Sequence, residues 1–134
     1  MKVLLDTNVL IAGFITKGVC SELLEHCLRR HEVVLSEFIL DEFKEKLVKK
    51  FKYSAEDADS AIRLLRSRVL LTKPIPLSQP VCRDADDDMV IASAISGNAV
   101  CIVTGDKDLF ELKEHQGILI LKPADFSAFE AERS

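Results

Sequence analysis

Four acidic residues of this chain stand where solubility alone does not explain them. Asp6 follows the apolar run Val3-Leu4-Leu5, and Asp106 follows the apolar stretch Val100 to Val103 and Thr104-Gly105. Two buried strands that each finish on an aspartate aim both carboxylates at the same edge of a sheet, and neighbouring strands bring them together. Either aspartate alone also suits the N-cap of the next helix, where its oxygen accepts from a free amide. The pair is more informative than either member.

Asp88 heads a helical stripe with Ile91, Ala92 and Ile95, a face expected to be buried. The helix dipole favours acids in a first turn, which accounts for Asp84 and Asp86. It does not account for an acid opening an apolar stripe, since a buried unpaired carboxylate is costly. A cation is the economical partner for Asp88, and Asp84, Asp86 and Asp87 stay open as further ligands. Glu42 lies at the border of a helix's apolar face, and spacing alone pairs it with Lys46 at i, i+4.

The elements that must position these groups follow from apolar periodicity and punctuation. Strands are expected at 3–5, 33–35, 69–71, 100–103 and 118–121, each a short continuous apolar run. Helices are expected at 8–15, 19–30, 37–51, 55–67, from 84 or 86 to 96, at 107–114 and from 123 to about 133. Ser36 and Ser54 read as N-caps, and Gly97-Asn98 as a stop. Strands alternating with helices imply an α/β domain with a parallel, helix-covered sheet whose ligands sit beyond the carboxyl ends of the strands.

Composition bounds the rest. A chain of 134 residues, 48% apolar and 30% charged, is expected to form one globular domain over 1–134. No run approaches the roughly 18 apolar residues of a membrane span, and Asp6 leaves no room for a signal peptide's apolar region, so a cytoplasmic location is expected. Cys20, Cys27, Cys82 and Cys101 form no Cys-x-x-Cys pair and read as free thiols rather than a zinc or disulfide framework. His26, His31 and His115 lack ligand-like spacing and read as ordinary histidines.

Charge is uneven. Between Lys44 and Lys73 nine basic and four acidic residues give a local +5, which leaves −9 for the remainder of a chain of net charge −4. A basic arm beside an acidic remainder suits steering of phosphates toward a metal-loaded pocket, with Lys49, Lys50 and Lys52 as candidate nucleic-acid contacts. A solvated helical hairpin carries the same charge.

Taken together, the segments resemble the PIN-domain family (PilT N-terminus-like). Leu5-Asp6-Thr7-Asn8-Val9-Leu10 resembles its first motif, and Ser36 to Phe43, with Glu42, its second. The helix from Asp88 to Ala94 resembles the third, and Ile102-Val103-Thr104-Gly105-Asp106-Lys107-Asp108-Leu109 the fourth. The match runs from Val3 to about Leu121 and most resembles the VapC-like branch of toxin components from toxin–antitoxin systems.

That resemblance implies a three-layer α/β/α sandwich with a central parallel sheet in strand order 3-2-1-4-5. It implies an endoribonuclease whose Asp6, Glu42, Asp88 and Asp106 bind one or two divalent cations, buttressed by Asn8 and Thr104 and assisted by Asp108. Oxygen-only donors point to Mg2+ or Mn2+. It further implies an RNA substrate, a cognate antitoxin and pairing into homodimers. Two other readings remain: an idle PIN-like module that binds RNA or protein, and a phosphoaspartyl phosphatase. The second is weakened because Asn8 stands where that chemistry needs another acid.

Overall fold

A computed structural model describes residues 1–133. The chain forms a three-layer α/β/α sandwich around a mostly parallel sheet. Its strands are β1 (Lys2–Leu5), β2 (Glu32–Ser36), β3 (Leu70–Thr72), β4 (Cys101–Val103), β5 (Glu114–His115) and β6 (Ile118–Leu121). The helices are α1 (Thr7–Ile15), α2 (Val19–Arg30), α3 (Glu37–Lys49), α4 (Ala55–Arg66), α5 (Ala85–Ser96), α6 (Lys107–Glu111) and α7 (Phe126–Arg133). A single 3-10 turn, Pro123–Asp125, leads into α7.

The three central strands are buried on both sides. Successive strand residues point to opposite faces, yet Val3, Leu4 and Leu5, then Val33, Val34 and Leu35, are all fully buried. Helices must therefore cover both faces, which is why these strands read as continuous rather than alternating apolar runs. The order is β3-β2-β1-β4-β6-β5. β1 pairs in parallel with β2 and with β4, the last in the register Val3 with Cys101 and Leu5 with Val103. The two strands that end on aspartates are thus neighbours at the sheet's centre.

The expected order holds for the four strands at one side and for the strand at 118–121, which is β6. The added element is β5, which starts at Glu114, the last residue of the helix expected over 107–114. α6 stops at Glu111, and Lys113 has a positive φ of 63°, which turns the chain. Glu114 and His115 then pair antiparallel with β6 across the two-residue turn Gln116-Gly117, whose φ angles are 50° and 81°. Two successive positive φ values are the signature of a tight hairpin turn, and glycine takes the second at no steric cost.

α5 runs back against the sheet, so its first turn lies at the carboxyl ends of the strands. Its far end fits closely: a Cβ on Gly97 would meet Val34 Cγ1 at 2.3 Å. No single helix is long and apolar enough to cross a membrane.

Candidate metal centre

Asp6 is both a helix cap and a pocket residue. Its Oδ1 accepts from the Thr7 amide at 2.8 Å, capping α1, while its Oδ2 accepts from the Thr104 hydroxyl at 2.7 Å. The carboxyl is 6% exposed. Burial raises its pKa, the bonds from Thr104 and Thr7 work against that, and the nearby charge of Asp106 adds to the rise.

Thr104 ties the two strand ends together, since its hydroxyl also accepts from the Asp106 amide at 2.9 Å. Asp106 in turn caps α6, its Oδ1 accepting from the amides of Asp108 at 2.9 Å and Leu109 at 3.5 Å. Glu42 reaches the same end of the sheet from the second turn of α3. Its Oε1 accepts from the Thr7 hydroxyl at 2.9 Å, and burial raises its pKa against the opposing pull of that bond and of Lys46. A cleft of about 490 Å3 lined by Phe38, Asp41, Glu42, Glu45, Lys46 and Asp86 opens beside it.

Asp87 and Asp88, at the start of α5, are held differently. The Asp88 carboxylate accepts from the amides of Cys82 at 2.8 Å and Val81 at 3.3 Å, fixing the loop before α5. Asp87 is 7% exposed and lies within electrostatic reach of Asp106 and Asp6. Burial, then the charges of Asp106, Asp84 and Asp6, push its pKa up to about 7. Asp87 leads the stripe Val90, Ile91, Ala94, which is buried more completely than the stripe led by Asp88, whose last member Ile95 is partly exposed. Asp84 caps α5, accepting from the Asp86 amide at 2.9 Å.

Thr104 bonds both Asp6 and the Asp106 amide, whereas Asn8 is exposed and its Oδ1 accepts from Lys46 at 3.0 Å. Thr7, bonded through its amide to Asp6 and through its hydroxyl to Glu42, fills the linking role. Asp108 is exposed and pairs with Arg83 at 3.0 Å. Lys49 pairs with Glu45 at 3.3 Å, Lys52 donates to the Lys49 carbonyl at 3.4 Å, and Lys50 lies 5.7 Å from the Phe51 ring centroid. These lysines sit at the far end of α3 from Ser36, roughly 10 Å along the axis beyond Glu42 at 1.5 Å per residue.

The donor chemistry suits a hard divalent cation. Asp6, Glu42, Asp87 and Asp106 offer only oxygen, and among the described residues none of them is ion-paired with a lysine or arginine. They are not a closed shell, for among the described residues the one trio with ligand atoms within 4.8 Å of one another is His26, His31 and Glu130. A cation held directly by these acids would have to draw their oxygens closer together than they stand here.

The trio His26–His31–Glu130 can itself coordinate a divalent cation, and residue spacing gave no sign of it. His26 lies in α2, His31 just past its end and Glu130 in α7, so only the fold brings them together. The four cysteines are free, with Cys27 and Cys101 buried.

Comparison with known proteins places this geometry in context. A family model described as a PIN domain matches residues 2–108. No curated protein sequence matches the chain significantly. Among solved structures, VapBC-1 from nontypeable Haemophilus influenzae aligns with a TM-score of 0.64 at 19% identity, over 92% of this chain and 99% of that one. VapBC2 from Rickettsia felis, solved with a DNA fragment from its promoter, aligns with a TM-score of 0.62 at 18% identity, over 91% and 98%. FitAcB from Neisseria gonorrhoeae gives 0.61 at 17%, again over 91% and 98%.

Proposed function

The chain belongs to the PIN-domain family, and on that premise we propose that it is a metal-dependent endoribonuclease, the toxin of a toxin–antitoxin pair. The observation that carries the reading is the convergence of Asp6, Asp87 and Asp106, with Glu42 beside them, at the carboxyl ends of the two central strands. In this reading the expected Asp88 gives way to Asp87. An antitoxin partner, in keeping with the fold likeness to VapBC and FitAcB, and a homodimer are parts of the same proposal.

Mg2+ or Mn2+ bound by Asp6, Asp87 and Asp106 would polarise the scissile phosphate and lower the pKa of a bound water. The chain's own residues do the rest. Thr7 and Thr104 each fix one oxygen of Asp6, so that carboxylate presents its remaining lone pairs in one orientation. Glu42, with one oxygen held by Thr7 and the cleft beside it, is placed to orient the attacking water and take its proton. Lys46, bonded to Asn8 at the rim, offers a cation to the incoming phosphate. In-line attack by water on phosphorus would leave 5′-phosphate and 3′-hydroxyl ends.

Incubation of single-stranded RNA with the purified chain tests this, with Mn2+ present or chelated. Cleavage that needs the metal and leaves 5′-phosphate ends is expected; metal-independent cleavage, or none with any RNA, overturns the reading.

The basic arm is tested separately. If Lys49, Lys50 and Lys52 touch phosphates, replacing all three with alanine weakens RNA binding and flattens its salt dependence by up to about 0.7 in log–log slope per lost contact. An unchanged slope assigns them to the solvated surface, where Lys49 already has Glu45 as a partner.

A further inference from the structure

At the opposite end of the sheet from the acids, two imidazoles converge on one carboxylate oxygen. His26 Nε2 lies 2.7 Å from Glu130 Oε2, and His31 Nε2 makes a short contact to that same oxygen. The three ligand atoms all fall within 4.8 Å of one another. The location follows from β1: Met1, whose amine lies 3.2 Å from His31 Nδ1, precedes the strand that ends at Asp6.

We propose that His26, His31 and Glu130 form a second, separate cation site that takes a borderline transition metal of the Zn2+ class and clasps α7 to the end of α2. Two imidazoles and one carboxylate are a donor set zinc favours, whereas hard cations prefer oxygen alone. Local charge argues the same way. A single carboxylate flanked by Arg30 and Arg133 leaves little net negative charge for Mg2+, while imidazole nitrogens bind zinc without needing one.

The geometry needs only a small adjustment. Zinc at about 2.0–2.2 Å from each ligand in tetrahedral arrangement holds ligand atoms about 3.4 Å apart, so Glu130 Oε2 must draw back from the imidazoles by about 1 Å. Its side chain is 29% exposed, which permits that movement. The His31 side chain is only 11% exposed, and its ring is held edge-on by Phe126 at 5.8 Å and by His26 at 5.6 Å between centroids. A cleft of about 420 Å3 beside the trio leaves room for a water as fourth ligand.

The test uses the whole metal-stripped chain with Co2+ and Zn2+ alone as probes. Intense visible bands of four-coordinate cobalt, displaced by Zn2+, are expected in the wild type and equally in Asp6→Asn/Asp106→Asn. His26→Gln and Glu130→Gln should each weaken binding by at least ~100-fold, because loss of a direct ligand costs more than the 10–100-fold of an outer partner. Histidine NMR of the wild type needs no variant: Zn2+ should shift the ring signals of His26 and His31 and leave those of His115. Bands that persist in His26→Gln and Glu130→Gln, bands lost with the acids, or zinc that moves neither ring overturns the proposal. Since none of these readouts involves RNA, failure here leaves the nuclease reading standing, and the converse holds too.

Discussion

Asp87→Asn is expected to reduce metal-dependent RNA cleavage by at least ~100-fold, the loss of a direct ligand exceeding that of an outer one. Asp88→Asn should stay within several-fold of the wild type. The contrast rests on where the two carboxylates point. Asp87 is buried against Asp106 under the charge of Asp6, whereas both oxygens of Asp88 serve the amides of Val81 and Cys82. Asparagine at 88 keeps one acceptor for those amides, so the loop before α5 should hold. Initial rates on one RNA, with circular dichroism as a folding control, separate the alternatives. Equal loss in both variants, or loss in Asp88→Asn alone, would return the third position to Asp88.

Without a cation, the wild type should be more stable at about pH 5 than at about pH 8, and Mn2+ should reverse the order. Asp87 has a pKa near 7 in the folded chain against an ordinary value of 3.8. Asp6 and Glu42 are shifted the same way. Between those limits the folded state keeps protons that the unfolded chain releases, so stability falls as pH rises through the window. Glu37, Asp59 and Glu130 have lowered pKa values and the opposite sign, but their contribution is lost only at more acidic pH.

A divalent cation replaces those protons. At about 100 times its dissociation constant it should add roughly 2.7 kcal/mol, or several degrees in Tm for a domain this size. The shift should be larger at pH 8 and much smaller in Asp6→Asn/Asp106→Asn. Melting curves at both pH values check this, and equal Mn2+ shifts in wild type and double variant would place the stabilising ion elsewhere.

Much of this was legible in the residues, and the exceptions have physical reasons. The pairing of strand ends at Asp6 and Asp106 could be read because each follows a continuous apolar run, and such runs mark central strands of a covered sheet. The phase of α5 could not. Val90, Ile91, Ala92, Ser93 and Ala94 are all buried, so the helix lacks a single apolar stripe, and periodicity cannot choose between Asp87 and Asp88. β5 escaped because Lys113 and Gln116 adopt positive φ, which neither residue type advertises. The histidine pair escaped for another reason: His31 lies beyond the end of α2, and its partner Glu130 is 99 residues away.

The hydrogen bond from the Asp6 amide to the Val103 carbonyl, at 2.9 Å, continues the ladder between β1 and β4 directly into the acidic pocket. Segments that open by local fluctuation are those with few buried contacts, and the middle of a fully covered sheet is the opposite case. The backbone at Asp6 is therefore set by the register of those two strands, and Asp106, three residues past β4, is tied to it through the Thr104 hydroxyl, which donates to Asp6 and accepts from the Asp106 amide. Parting β1 from β4 therefore dismantles the Asp6 side of the pocket, so that side should open only together with the central sheet.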